Sequence, residues 1–301
     1  MGIYLRPESL GEALAALADP EHSRPADPLD RLTPLAGGTD VYPARAGADA
    51  WGRPAPRNVL DLSRIPELDG ISTAPDGSVR IGARVTWTRM TEAGLPPAFR
   101  CLEQAGRGVG GVQVQNRGTL VGNLCNASPA ADGVPPLLAL DAEVEAASAR
   151  GVRRVPLSGF VLGNRRTALG PDELATAILV PPQPDGLATA FLKLGARSYL
   201  VISIVMVAAG LAVGPDGRIA AARIAVGACS AAAARLRGLE ADLVGAPAAG
   251  AADRVRAEHL APLSPIDDVR GTAAYRLEAA LVMVRRALDD LGGAPSLGRA
   301  A

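Results

Sequence analysis

The sequence predicts an α+β protein made of two domains. Up to residue 180, short strand-like runs alternate with helical stretches. Residues 181–186, PPQPDG, then form the clearest linker in the chain, and beyond it three apolar strand-like runs precede a helical C-terminal part. With 301 residues there is ample chain to bury a core. We place the first domain at 1–182, with subdomains of about 1–60 and 61–182, the second at 187–292, and a flexible tail at 293–301. No internal repeat is visible.

In chain order, Leu10, Ala13, Leu14 and Leu17 follow Pro7 and Ser9 at helical spacing, so 7–19 reads as a short amphipathic helix. A Pro-rich loop leads into a short strand ending at Ala36, then Gly37-Gly38-Thr39-Asp40 and a helical turn. Strand, glycines and hydroxyl at a helix start form an anion cradle, because unpaired N–H groups and the positive helix end face the loop. Gly-Gly-Thr also occurs in ordinary turns, and without the lysine of a P-loop the segment does not belong to a nucleoside triphosphatase. VLDLSRIPEL (59–68) reads as a parallel-type strand and turn, SVRIGARVTW (78–87) as a strand entering a helix near 88–93, and 99–105 as helical. Gly106 to Gly111 matches G-x-G-x-x-G. A helix-like segment precedes it, however, and VQVQ, read as a strand, follows, which is the reverse of the dinucleotide-binding order.

The stretch 109–140 organises the first domain. Val112 and Val114 alternate with Gln113 and Gln115, and the pattern breaks at Asn116-Arg117-Gly118 into what reads as a buried, Gly-interrupted loop. Gly118, Gly122 and the small Thr119, Ala127 and Ser128 let backbone approach something bulky, while Thr119, Asn123, Asn126, Ser128 and Asp132 supply hydrogen-bonding groups. That combination suits a sugar-phosphate ligand; it also suits an ordinary turn-rich connection. Next come a buried helix at 134–140, a hairpin of 142–148 with 152–157 around Gly151, a short helix, a loop around Leu169 and Gly170, and a strand at 174–180. Past the linker, 188–196, 203–213 and 218–230 read as strands, with the turn GPDG (214–217) joining the last two as in an antiparallel meander. The run 199–213 reads as buried strand throughout, and 231–243, 251–259 and 275–291 as helices.

Composition excludes several functions. Thirty-one basic residues balance 31 acidic ones, which leaves no electrostatic case for nucleic acid or an anionic membrane. Three isolated cysteines and two histidines cannot hold an iron–sulfur cluster or a zinc site, and His22 and His259 both read as solvated surface residues. Redox chemistry would therefore need an organic cofactor. The N-terminal segment lacks a basic start and a continuous apolar core, and 199–213 is shorter than the about 20 residues of a membrane span, so no membrane association and a cytoplasmic location are expected. All but one of the 31 basic residues are arginine. The exception, Lys193, is either a chance survivor or a position needing a compact point charge on a flexible stem.

Taken together, AGGTD (36–40), QNRGTLVGNLCNASPAAD (115–132), FLKLGARSYLVIS (191–203) and SPIDDVRGTAAYR (264–276) resemble the FAD-binding subunit of the molybdenum hydroxylases, the xanthine dehydrogenase and carbon monoxide dehydrogenase family. The resemblance runs from about Leu5 to Leu291. It implies a two-subdomain FAD-binding domain of the vanillyl-alcohol oxidase (PCMH) type, followed by a small domain of three-stranded antiparallel sheet plus helices. It further implies FAD, with Leu35, Ala36, Gly37, Gly38, Thr39, Asp40 and Val41 wrapping the pyrophosphate. Non-covalent binding is expected because neither His22 nor His259 lies in a flavin motif; the alternatives for Cys125, the one thiol inside such a motif, are a flavin link or plain packing. Thr119, Gly122, Asn123 and Asn126 would face it from the other side, with Val109 and Ser128 nearby and Asp132 accepting from a cofactor hydroxyl or ring group. Leu169 would pack on the isoalloxazine, and Lys193 would tune the flavin from its polar side, so that Lys193→Ala lowers the reduction potential while leaving the fold intact. Partners implied are an iron–sulfur subunit with two [2Fe-2S] clusters and a molybdenum-cofactor subunit, in a dimer of heterotrimers, with NAD or another acceptor taking the electrons. Two departures from the family pattern are Val121, where a glycine is usual, and the apolar Val201, where an acidic residue is frequent. A self-contained flavin oxidoreductase would want an acid or base over the ring, and a cofactor-free scaffold would not need the intact AGGTD and GN-x-x-N-A-S-P motifs.

Overall fold

The computed structural model describes residues 2–198 and 200–292, so the tail at 293–301 lies outside the described residues. The N-terminal part is a parallel sheet of β1 (Tyr4–Leu5), β2 (Thr33–Leu35) and β3 (Val59–Asp61) in the order β1-β3-β2. β3 takes the centre because every one of its residues is buried. Helix α1 (Leu10–Ala18) starts where Ser9 Oγ accepts from the Glu12 N–H at 3.2 Å, and it buries Ala13 and Leu17; the one-turn α2 (Pro20–Ser23) follows. Helix α3 (Val41–Ala50) leaves β2 through the Gly37-Gly38 bend and buries none of its residues.

A five-stranded antiparallel sheet comes next, formed by β4 (Ile71–Thr73), β5 (Val79–Gly82), β6 (Glu143–Ser148), β7 (Gly151–Pro156) and β10 (Leu174–Val180) in the order β4-β5-β10-β6-β7. Its central strand, LATAILV, is almost wholly buried, which accounts for a run of apolar residues without alternation. The short helices α4 (Trp87–Thr91), α5 (Arg100–Arg107), α6 (Val112–Gln115), α7 (Leu120–Asn126), α8 (Val134–Ala139) and α9 (Leu157–Phe160) lie between its strands in sequence. A separate hairpin, β8 (Val161–Gly163) with β9 (Arg166–Thr167), stands outside the sheet.

Two readings of this region are corrected. VQVQ is not a strand: it forms the helical turn α6, with the Gln115 N–H on Gly111 O and the Asn116 N–H on Val112 O. Four alternating residues between glycines give no strand enough length to find a partner, and Val112 stays exposed while Val114 is half-buried. Nor is the segment after Gly118 a loop. Thr119 Oγ1 accepts from the Gly122 N–H at 3.0 Å and starts α7, whose Leu120, Val121 and Leu124 enter the core.

The C-terminal part is an antiparallel sheet of β11 (Ala188–Leu194), β12 (Val205–Val213) and β13 (Ile219–Gly227), with the two-residue edge strand β14 (Ala234–Arg235) added beside β13. Met206, Ala208 and Ala212 of β12 belong to the core of the first part, and Val205, Val207, Ala209 and Leu211 pack with the C-terminal helices. Burial on both faces is why β12 reads as continuous apolar sequence. The strand starts only at Val205, and Ile202 before it is exposed, so the reading of 199–213 as buried strand is too long; Tyr199 itself lies outside the described residues. The helix expected over 231–243 begins at Arg237 as α10 (Arg237–Leu243), because 234–235 pair with β13, and 251–259 forms two 3-10 turns. His259 is buried, against expectation. Its Nδ1 accepts from the Arg256 N–H at 3.1 Å and its Nε2 bonds Asp242 at 3.0 Å, which ties these turns to α10.

Helix α11 (Ala273–Gly292) covers the outer face of β12. The SPIDDVRGTAAYR motif is its anchor. Asp267 accepts from the Ala273 N–H at 2.6 Å, and the buried Arg276 donates to Ile204 O, to Ala228 O and to Asp268 at 2.7 Å. The Arg270 backbone N–H, with the Arg276 and Arg270 guanidiniums, holds Asp268 down at about 2. An unfolded aspartate titrates at about 3.9, so this pairing adds stability above about pH 4 that is lost as the pH falls through about 2. Asp268→Asn should flatten that acid limb in chemical denaturation series run from pH 5 down to pH 2; an unchanged limb would remove the carboxylate's role.

Candidate functional site

Between the parallel sheet and the five-stranded sheet lies a cavity of about 820 Å³. That is near the top of the roughly 300–1,000 Å³ range of ligand pockets. The two glycine-bearing bends meet in its wall. A Cβ added to Gly37 would lie 2.0 Å from Arg117 O and 2.9 Å from Gly118 Cα, and one added to Gly118 would lie 3.2 Å from Thr39 Oγ1. Gly38 has φ +75, a left-handed conformation that glycine adopts without strain, and a Cβ there would meet the Tyr42 ring. Glycine is thus required by backbone contact at one position and by conformation at the next.

The first bend is rich in idle donors. Among the described residues, nothing accepts from the N–H groups of Gly37, Gly38, Thr39 or Asp40, all of which line the cavity. Across from it, Asn123 Oδ1 accepts from the Gly133 N–H at 3.1 Å and Asn126 Oδ1 accepts from Arg165. With their carbonyls occupied, both carboxamides keep Nδ2 donors with no acceptor among the described residues. The Gly122 N–H, by contrast, is taken by Thr119 Oγ1. Four arginines, Arg31, Arg45, Arg165 and Arg166, line the cavity, and none pairs with a carboxylate among the described residues. Of the two acidic residues in the wall, Glu173 is bound by Arg153 at 2.7 Å, which leaves Asp40. Donors and positive charge without local acceptors fit an anionic ligand.

The cavity also has an apolar wall. Val41, Ala44, Arg45 and Ala48 of α3 line it at spacings of three and four, the face that an amphipathic helix normally packs on its own protein. Trp87, Val109, Val114, Val121 and Leu169 add further apolar surface. A ligand with a diphosphate and flat ring systems satisfies both kinds of wall, so the residues present fit FAD.

Of the residues singled out in the sequence, Ala36, Gly37, Gly38, Thr39, Asp40, Val41, Val109, Thr119, Gly122, Asn123, Asn126 and Leu169 line this cavity. Leu35, Ser128, Asp132 and Lys193 do not. Leu35 points into the core, and Ser128 Oγ accepts from the Ala130 N–H at 3.2 Å within its own turn. Asp132 and Lys193 pair with each other at 3.0 Å behind the wall, where Ser203 also donates to Asp132 at 3.2 Å and Lys193 Nζ donates to Gly108 O at 3.1 Å, next to Val109. Burial pushes the Asp132 carboxyl above its ordinary range, and Lys193 pulls it back. The arginines, Trp87 and the inner face of α3 were missed. The spacing of Val41, Ala44 and Ala48 was the available signal for α3, and an Asn-Arg-Arg hairpin tip the signal for Arg165 and Arg166. Cys125 also lines the cavity, and burial pushes its thiol up to about 12, which leaves it unreactive at neutral pH.

Residues 1–183 match the family described as the FAD binding domain in molybdopterin dehydrogenase, and 190–291 match the CO dehydrogenase flavoprotein C-terminal domain. The chain is 31% identical over 291 residues to the xanthine dehydrogenase FAD-binding subunit of Escherichia coli O157:H7, covering 95% of this chain and 94% of that protein. It is 30% identical to the carbon monoxide dehydrogenase medium chain of Hydrogenophaga pseudoflava, covering 95% of each. Among solved structures, a chain of the reconstituted CO dehydrogenase of Oligotropha carboxidovorans aligns with a TM-score of 0.85 at 27% identity, covering 98% of this chain and 99% of that one. A chain of quinoline 2-oxidoreductase from Pseudomonas putida 86 aligns with a TM-score of 0.82 at 30% identity, covering 97% of each.

Proposed function

This chain belongs to the FAD-binding family of the molybdopterin dehydrogenases, and on that premise we propose that it is the electron-transfer subunit of a multisubunit molybdenum hydroxylase. The observation that carries the reading is the contact of the two glycine bends on a cavity lined by unpaired donors. FAD bound there would take electrons from an iron–sulfur partner and release them to NAD or another acceptor, chemistry that no side chain of this protein can supply. Everything else the chain does is binding and orientation. Gly37 to Asp40 and the carboxamides of Asn123 and Asn126 hold the diphosphate side, while α3, Val109 and Leu169 hold ring surfaces.

The complex is proposed as a dimer of heterotrimers, with [2Fe-2S] clusters on one partner and the molybdenum cofactor on the other. No group of three or more His, Cys, Asp or Glu among the described residues could hold a metal ion. No helix among the described residues is long and apolar enough to cross a membrane; the cytoplasm is the proposed location.

Neither His22 nor His259 lines the cavity, and the flavin is proposed to be non-covalent. Acid precipitation of purified holoprotein should therefore release all flavin absorbance to the supernatant, and flavin remaining with the pellet would contradict this. Co-expression with an iron–sulfur and a molybdenum partner subunit should yield a complex in which the flavin is reduced by substrate of the molybdenum partner. A chain that stays monomeric and oxidises an organic substrate by itself would overturn the subunit reading.

A further inference from the structure

Resting on the FAD reading, we infer that Arg165 is an anion-binding residue of the cavity, held at the tip of the β8–β9 hairpin to serve the cofactor diphosphate and to aim the Asn126 carboxamide at it. Four observations carry this. First, Arg165 has φ +57, a left-handed backbone that a branched-chain or long side chain rarely adopts and that glycine would take freely. An arginine there bears a backbone cost that glycine would not. Second, the hairpin is a two-stranded sheet of its own, pinned over α7 by the Arg165 N–H on Ala127 O at 3.0 Å, where Ala127 is itself left-handed at φ 48. Two unusual backbone conformations thus meet at one contact, beside the cavity.

Third, the guanidinium donates to Asn126 Oδ1. This fixes which end of the carboxamide is free, and the free end is the donor an anion needs. Fourth, Arg165 is exposed at the cavity rim with no carboxylate partner among the described residues, and Arg166 beside it has none either. The nearby carboxylates are occupied elsewhere: Asp172 with Arg150, and Glu173 with Arg153 and the Gly170 N–H. The diphosphate of a dinucleotide supplies the missing counter-charge, with the remaining guanidinium donors free to reach it.

The test uses the full chain, stripped of flavin, titrated calorimetrically with FAD at several salt concentrations, with thermal midpoints recorded for each apo form. Arg165→Gly relieves the backbone and removes the charge. Its apo midpoint should equal or exceed that of the wild type, while its FAD dissociation constant rises at least tenfold and its salt dependence becomes shallower. Arg165→Lys should recover part of the affinity, by charge, without recovering all of it. Wild-type affinity in Arg165→Gly overturns the inference alone. So does a weakened affinity with an unchanged salt slope and a lowered apo midpoint, since that pattern marks a purely structural role. A wild-type chain that does not bind FAD overturns the cofactor reading and this inference together.

Discussion

Gly37→Ala is expected to cost the chain its flavin and part of its stability. The added methyl would lie 2.0 Å from Arg117 O, 2.7 Å from its carbonyl carbon and 2.9 Å from Gly118 Cα. All three are backbone atoms, so no side-chain rotation relieves the clash and the two bends must move apart. Overpacking of this kind costs about 1–3 kcal/mol of stability. Separating the bends also pulls the idle N–H groups of 37–40 away from Asn123 and Asn126, the two donor sets proposed to hold the cofactor together. An affinity loss on the order of a hundredfold, ~2.7 kcal/mol, is expected in an FAD titration of the apo chain. Gly47→Ala is the control: its Cβ meets nothing within 4 Å in the middle of α3, so it should be neutral or stabilising by up to about 1 kcal/mol. Wild-type flavin affinity in Gly37→Ala would show that the bends need not touch.

Lys193→Ala is expected to destabilise the protein by about 3 kcal/mol, against the expectation from the sequence that the fold would stay intact. The Lys193 and Asp132 side chains are 15% and 12% exposed and join β11 of the C-terminal sheet to the loop before α8. Removing the lysine leaves a largely buried carboxylate with only the Ser203 hydroxyl, and breaking a buried pair from one side costs roughly 3–5 kcal/mol. Exposure of the pair places the loss at the low end of that range. The double variant Lys193→Met/Asp132→Leu should recover much of it, because neither charge is then stranded, and the cycle gives the coupling directly. Since Lys193 is neutralised by Asp132 behind the wall, its effect on the flavin potential should be smaller than a free cation would give. A folded, fully stable Lys193→Ala protein with a strongly lowered potential would restore the direct tuning role.

These two residues show what was legible in the sequence. Gly37 was readable only together with the later motifs, since Gly-Gly-Thr also occurs in ordinary turns, and the structure supplies the backbone contact that requires it. Lys193 was found by its rarity, but composition is silent about which carboxylate a lysine meets 61 residues away. Strands buried on two faces, such as β10 and β12, announced themselves as apolar runs. Periodicity failed where segments were too short to have a period: VQVQ became a helical turn, and the glycine-interrupted stretch after it became α7 once Thr119 capped it. The inner face of α3 was hidden for a different reason. Its spacing is that of a packed helix, but that face lines the cavity and none of its residues is buried.

The central claim is that two separated bends close on one cofactor, and hydrogen exchange with and without FAD tests it most directly. On saturation with FAD, amides of 37–40 and of 119–126 should slow together, and to the same extent in every titration step, while those of β12 stay unchanged. Protection confined to one of the two segments, or absent from both while FAD is bound, would contradict the account.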